Sequence, residues 1–537
     1  MTIEMIVALI GASVVAYAIA NRFRLIAPVL LIAAGVGVAL LPVGEEMSLP
    51  STVVLTIFLP ILLYWESLSV SLNRMRRSLR GIILSATVLV AITAALITLI
   101  GVLTGLSVGA ALLIGACLGP TDATAVSSLG RGINPNGRTI LQAESLLNDG
   151  TALVIFAIAL QAAQDSSGVT AGLVAHQLLL SFGGGIGAGV LVGAAVTKIG
   201  IRVRTITDDP MLATITALAT PFLTFFIAEE IGGSGVLAVV TCGIVISRFA
   251  APHMSLGSRV LGIPFWTILT HILNTILFVM VGVALPGIVA ELPHADLVRG
   301  LILIPIIYIA MVAGRFAGQH LIIYSIRALD RRPEQRQRRL SYRARVVSAV
   351  SAFRGGVSLA IALSIPLVMN DEHRSPFPYR NDVVLVAALA IVIGMAVQGP
   401  LLPKVIAWAA KGGHTGDDEE AELTEEQLAT EGRLAILEAV RPELPALAEQ
   451  AGVSPRIAEA MEERLDDIAA HIGADDEEED VAEIVALERL HGAVLKRKRE
   501  LLSQFVREGR IGDETARILR ARMDLEEIHR NGYLPYE

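Results

Sequence analysis

Charge is scarce in this 537-residue chain: Asp, Glu, Lys and Arg make up 18% of it, aromatic residues 5%, and there are two cysteines. A soluble globular protein carries roughly 25% charged residues, so most of this chain is not expected to face water. Cys117 and Cys242 lie in apolar surroundings without metal-ligand spacing, which implies no disulfide framework and leaves them as small packing residues. A positive leading region is also missing. Ala16-Tyr17-Ala18 has the form of a signal-peptidase site, but Glu4 and no base precede the apolar stretch. Ile3 to Ala20 is therefore expected to be a first spanning helix.

What is abundant is apolar residue, 53% of the chain with a mean hydropathy of +0.64. The charge that exists is unevenly split. Residues 412–537 hold 32 of the 51 acids and 15 of the 43 bases, a net of −17, whereas residues 1–411 carry +9. This predicts two domains, a transmembrane one over 1–411 and an acidic, helical, water-soluble one over 412–537.

About 20 apolar residues cross the hydrocarbon of a bilayer. Thirteen such runs begin near Ile3, Leu25, Pro50, Leu79, Leu106, Thr139, Val169, Pro210, Gly233, Gly262, Leu297, Val346 and Val383. The second, Leu25 to Leu41, is short. Cytoplasmic loops carry an excess of Lys and Arg, and here alternate connections are basic: Arg22/Arg24, the four arginines over 74–80, Arg131/Arg138, Lys198/Arg202/Arg204, Arg248/Arg259 and the eight arginines from Arg327 to Arg345. The loops between them are acidic or neutral. The expected topology puts the N-terminus outside and the tail in the cytoplasm. Within the tail, helical periodicity runs over Leu423 to Ala448, Pro455 to Ile472, Val481 to Arg507 and Asp513 to Ile528. Asp475 to Asp480 is expected to be a solvated acidic loop.

Two breaks interrupt the apolar pattern. Gly119-Pro120-Thr121-Asp122 falls in the middle of the fifth span, where proline removes a donor and glycine loosens the helix. Phe353-Arg354-Gly355-Gly356 falls in the twelfth, with Pro366 beyond it. If spans one to six and eight to thirteen are two repeats linked by the seventh, each break lies in the fifth helix of its set. Corresponding breaks in two inverted repeats point to an ion site at mid-membrane. The plainer alternative for the first break is a proline kink with Asp122 capping the next half-helix. The fold class is thus all-α, a polytopic membrane protein of about thirteen helices in two inverted six-helix repeats with two broken crossing helices, plus a helical tail.

A carboxylate in hydrocarbon is costly unless paired, protonated or bound to a cation, and marks an ion or proton path by default. The densest such run is Glu144-Ser145-Leu146-Leu147-Asn148-Asp149 in the sixth span. Ser145 and Asp149 share one helical face and Glu144 and Asn148 the adjacent one. The first face offers a hydroxyl and a carboxylate to a cation, and the second a carboxylate and an amide for structural pairing. Arg315, alone in the eleventh span, needs an anion nearby, and Glu144 is the expected partner. Glu66, in Tyr64-Trp65-Glu66-Ser67 of the third span, is either an interfacial residue beside an aromatic anchor or a neighbour of Asp149. Arg354 is expected to compensate carbonyl ends and the charge of Asp122.

Gly119-Pro120-Thr121-Asp122-Ala123, Glu144 through Gly150, and Phe353-Arg354-Gly355-Gly356-Val357-Ser358-Leu359 together resemble the signature segments of the bacterial monovalent cation/proton antiporter-1 family. That family includes NhaP-type sodium/proton antiporters and is similar to the animal sodium/proton exchangers. The resemblance covers roughly residues 1–411. It implies that Asp149 is the shared cation and proton carboxylate and that Asp122 and Thr121 contribute from the unwound fifth helix. It further implies that Ser145 and Glu66 complete the alkali-cation shell, that Glu144 and Arg315 form a structural ion pair, and that Arg354 is the arginine of the second crossover. A homodimer with six-helix core bundles and an elevator-like movement is also implied, in a bacterial inner membrane. Asn148, where other relatives have a second aspartate, resembles the electroneutral branch.

The expected activity is exchange of a monovalent cation, sodium ahead of lithium or potassium, for a proton. No cofactor, enzymatic chemistry or nucleic-acid partner is expected; the partners are membrane lipid and a second copy. Two rivals use the same residues less well. A passive channel usually lines an open path with rings from several subunits, and an anion or organic-acid symporter is poorly served by Asp122, Asp149 and Glu66. The glycine run over 183–189 lacks the preceding strand of a nucleotide loop and fits close helix packing.

Overall fold

The computed structural model describes residues 3–23, 25–41, 50–69, 84–122, 135–164, 171–204, 207, 209–250, 253–329, 342–369, 377–410, 425–450, 452, 454–473, 497–498, 501–502, 504 and 508. Among these the regular secondary structure is helical. The chain divides into two compact units, residues 1–420 and 421–537.

The first unit follows from what hydrocarbon demands of a backbone: every N–H and C=O must find its partner within the segment, so apolar runs become helices. They are α1 (Ile3–Phe23), α2 (Ala27–Ala39), α3 (Ser51–Ser69), α4 (Val90–Leu103), α5 (Val108–Leu118), α6 (Pro135–Gln164) and α7 (Ala171–Arg204). Then come α8 (Pro210–Glu230), α9 (Gly235–Phe249), α10 (Leu256–Glu291), α11 (His294–Leu329), α12 (Tyr342–Val350), α13 (Gly356–Leu363) and α14 (Arg380–Ala410). Eight helices among the described residues are long and apolar enough to cross a membrane, and α1, α2, α5 and α9 are shorter apolar helices.

Short polar residues set several starts. Ser107 Oγ accepts from the Ala110 N–H at 3.2 Å, and Asp209 Oδ1 accepts from the Met211 N–H at 2.9 Å with Pro210 opening the helix. Ser255 does the same for α10, which begins six residues before the expected Gly262. Arg259 had ended the apolar run in the sequence, but the helix runs through it. Both α3 and the approach to α4 contain a π turn, Val54–Phe58 and Ser85–Leu89, a distortion that often accompanies a functional segment. The expected starts at Leu79 and Val169 lie outside the described residues.

Burial sorts the helices. α5 and α13 are apolar all round and almost wholly enclosed, as expected of helices inside a bundle. By contrast α7 and α8 leave Leu179, Leu191, Met211, Ile215 and Phe226 exposed, the pattern of a face turned to lipid. The glycine run over 183–189 lies inside α7, where a Cβ on Gly185 would come within 2.7 Å of the Ser234 carbonyl oxygen and one on Gly189 would meet that of Ala238. Close packing of α7 on α9 accounts for it. Cys117 and Cys242 are buried free thiols.

The second unit contains α15 (Glu425–Val440), α16 (Leu444–Gln450) and α17 (Pro455–Gly473). Arg441 pairs with Asp466 and lies 4.0 Å from Glu462. The expected acidic loop at 475–480 and helix at 513–528 lie outside the described residues, as does most of the helix expected over 481–507.

Candidate ion site

The two sequence breaks meet. α5 ends at Leu118 and a bend at Gly119-Pro120 leads to Thr121 and Asp122; α12 ends at Val350 and a turn at Ser351 leads to Phe353 before α13 starts at Gly356. Asp122 and Phe353 meet in one antiparallel bridge, in which the Asp122 N–H donates to the Phe353 carbonyl at 2.8 Å. Unwinding each helix frees backbone groups that would be orphaned in hydrocarbon, and pairing the breaks satisfies one donor and one acceptor. The half of the fifth span beyond Asp122 lies outside the described residues.

Arg354 ties the two ends further. Its Nε donates to the Leu118 carbonyl at 3.0 Å and its Nη1 to the Ala352 carbonyl at 2.7 Å. A buried guanidinium thus covers the negative C-terminal ends of α5 and α12, where cations are favoured. The carbonyl-end part of the expectation is met directly.

α6 runs alongside the first break. Ser145 Oγ donates to the Thr121 carbonyl at 2.7 Å and lies 3.2 Å from Glu66 Oε1, and Asn148 Nδ2 donates to Thr121 Oγ1 at 2.9 Å. One turn of α6 therefore holds both the backbone and the side chain of Thr121. Asp149 is 2% exposed, with Asp122 and Glu66 within electrostatic reach of it. Among the described residues no hydrogen bond is made to the Asp149 carboxylate, and no three His, Cys, Asp or Glu side chains converge closely enough to hold a metal ion together. The neutral oxygens of Ser145 and Thr121 stand in the same place, Ser145 Oγ lying between the Thr121 carbonyl and Glu66 Oε1.

On the neighbouring face of α6, Glu144 Oε1 accepts from Arg315 Nη2 at 2.6 Å, both side chains being less than a tenth exposed. This pair links α6 to α11.

Glycines shape the second break. A Cβ on Gly355 would collide with Asp122 Oδ2, and a Cβ on Gly356 with Asn274 Oδ1. Asn274 carries no charge and does not stand out from the apolar run around it. The available signal was a lone amide in the middle of the 36-residue α10.

All the singled-out residues, Glu66, Thr121, Asp122, Glu144, Ser145, Asn148, Asp149, Arg315 and Arg354, lie on α3, α6, α11 or the two breaks. This is a multi-pass helical membrane protein in which two unwound segments pair beside a buried carboxylate, as expected of a secondary ion carrier. The sodium/hydrogen exchanger transmembrane family matches residues 9–408, and the chain belongs to that family of monovalent cation/proton antiporters. An uncharacterised Na+/H+ exchanger of Mycobacterium tuberculosis strain H37Rv is 34% identical over 530 residues, covering 97% of this chain and 95% of the relative. The Na+/H+ antiporter ApNhaP of Aphanothece halophytica is 28% identical over 430 residues, 77% of this chain and 75% of its own. A sodium, potassium, lithium and rubidium/H+ antiporter of Bacillus subtilis is 28% identical over 397 residues, 72% and 58% respectively. Among solved structures, the sodium proton antiporter MjNhaP1 of Methanocaldococcus jannaschii at pH 8 aligns with a TM-score of 0.56 at 19% identity, covering 75% of this chain and 96% of that one. That likeness concerns the fold.

Proposed function

We propose that this antiporter exchanges one monovalent cation, sodium first, for one proton without net charge movement, the two competing for Asp149. The observation that carries the reading is the Asp122–Phe353 bridge, which sets both helix breaks at one level beside Asp149 and Glu66. Hard oxygen ligands suit sodium, lithium and potassium alike, and the relatives' names span all three.

The coupling needs no further device. Asp149 accepts a proton or a dehydrated cation, never both, and the break region crosses between faces of the membrane only when that charge is neutralised. Asn148 spends its amide on Thr121 and adds no second charge, in keeping with one-for-one exchange. Glu144–Arg315 and Arg354 hold the frame.

In this reading the thirteen spans form two inverted repeats in a bacterial inner membrane, with the N-terminus outside and residues 412–537 in the cytoplasm, and two copies assemble as a homodimer. The test is Asp149→Asn in reconstituted vesicles: the variant is expected to fold and to lose exchange, and retained exchange would remove Asp149 from the mechanism.

A further inference from the structure

The Gly355–Gly356 dipeptide of the second break is enclosed from two directions. The Asp122 carboxylate, from the first break, occupies the space a Cβ on Gly355 would need. The Asn274 side chain, from α10, occupies the space a Cβ on Gly356 would need, with its Cγ 3.4 Å from that position. Asp122 belongs to the ion site; Asn274 comes from α10, which carries none of the residues the sequence singles out for that site.

α10 packs closely on α1 and α2. A Cβ on Gly35 of α2 would lie 2.9 Å from the Gly282 Cα of α10, so the two helices touch backbone to backbone. From α1, the Tyr17 hydroxyl lies 3.0 Å from Thr275 Oγ1, and the Tyr17 ring packs against His271, whose ring centroid is 4.8 Å away. Residues 271 and 275 flank Asn274 on the same turn. Two helices, α1 and α2, thus pack on the helix that presents this amide, and a residue without a Cβ, Gly356, lets it approach the start of α13.

We infer that Asn274 is a positioning residue for exchange: its amide, carried by a helix packed on α1 and α2, seats the Gly355–Gly356 end of the second break and so sets where Arg354 and Asp122 stand relative to Asp149. The inference rests on the exchange mechanism proposed above. An amide is suited to the task because it offers polarity to a buried helix start that has no side-chain cap, without adding a charge beside the carboxylates. Its contact with Gly356 has to break or slide whenever the second break moves against α10.

The test is exchange by purified full-length protein in proteoliposomes, comparing Asn274→Ala, Gly356→Ala, the double variant and Asn274→Asp. Asn274→Ala is expected to lower the maximal exchange rate about tenfold. Gly356→Ala is expected to be worse, and the double variant faster than Gly356→Ala alone, because removing the amide makes room for the new methyl. Asn274→Asp keeps the shape and is expected to shift the pH profile, which a merely structural residue would leave in place. A wild-type rate and pH profile in both Asn274 variants would overturn the inference, and so would a double variant no faster than Gly356→Ala. If Asn274→Ala does not reach the membrane, the pH profile of Asn274→Asp decides alone. Asp149→Asn is run alongside: exchange that survives in it defeats the mechanism, whereas exchange lost there but untouched in the Asn274 variants defeats only this inference.

Discussion

The Asp122 N–H donates to the Phe353 carbonyl at 2.8 Å, joining two helix breaks separated by 230 residues of sequence. The bond explains how a membrane bundle tolerates two unwound segments, since each supplies a partner the other lacks. It also fixes the height at which Thr121 meets α6. Perturbing either break should therefore be felt at the carboxylates.

Gly355→Ala is the direct perturbation. The new methyl would collide with Asp122 Oδ2 and push the carboxylate or the break aside. Exchange is expected to fall at least tenfold with the protein still inserted, read as cation-driven proton flux in vesicles. Wild-type flux would mean that the contact is not maintained during turnover.

The Glu144–Arg315 pair is expected to matter for stability. Removing one partner strands a buried charge, a cost of about 3–5 kcal/mol, so Glu144→Ala and Arg315→Ala should each lower the thermal unfolding midpoint in detergent. Removing both should cost less than the sum of the two single losses. Strict additivity would show the two side chains to be energetically independent.

Competition at one carboxylate fixes the sign of the pH dependence. As pH falls, a proton occupies Asp149 and the fraction able to take a cation shrinks. The half-saturating cation concentration should therefore rise, approaching about tenfold per pH unit where the protonated form dominates. Cation titrations of exchange at several pH values check this, and a half-saturating concentration independent of pH would separate the two sites.

Asn148 is expected to set the charge moved per cycle. Asn148→Asp retains a group able to meet Thr121 but adds a negative charge next to Asp149. Proton flux in this variant should become sensitive to a clamped membrane potential, whereas the parent protein should ignore it.

Much of this site was legible in the sequence because the membrane makes polar residues conspicuous. Gly119-Pro120 and Arg354-Gly355-Gly356 announced the breaks, since they disrupt helices that hydrocarbon otherwise enforces. Arg315 announced its own need for an anion, and Glu144 was the available carboxylate on the structural face of α6. Other features were hidden because they carry no charge. The Phe353 carbonyl has no side-chain signature, Asn274 is a single amide within α10, and Ser255 starts α10 upstream of the Arg259 that closed the apolar run. The tail offered periodicity but no chemistry; periodicity located α17, whereas the single helix expected over Leu423 to Ala448 is interrupted at Arg441–Glu443, where Pro442 falls, into α15 and α16.

The most direct measurement is cation-driven proton movement in proteoliposomes containing the parent protein or Asp149→Asn, with sodium, potassium and lithium added separately and the membrane potential clamped or free. The account predicts proton movement that requires a cation, ignores the potential and vanishes in Asp149→Asn. Proton movement that follows the potential in the parent protein, or that persists in the variant, would contradict it.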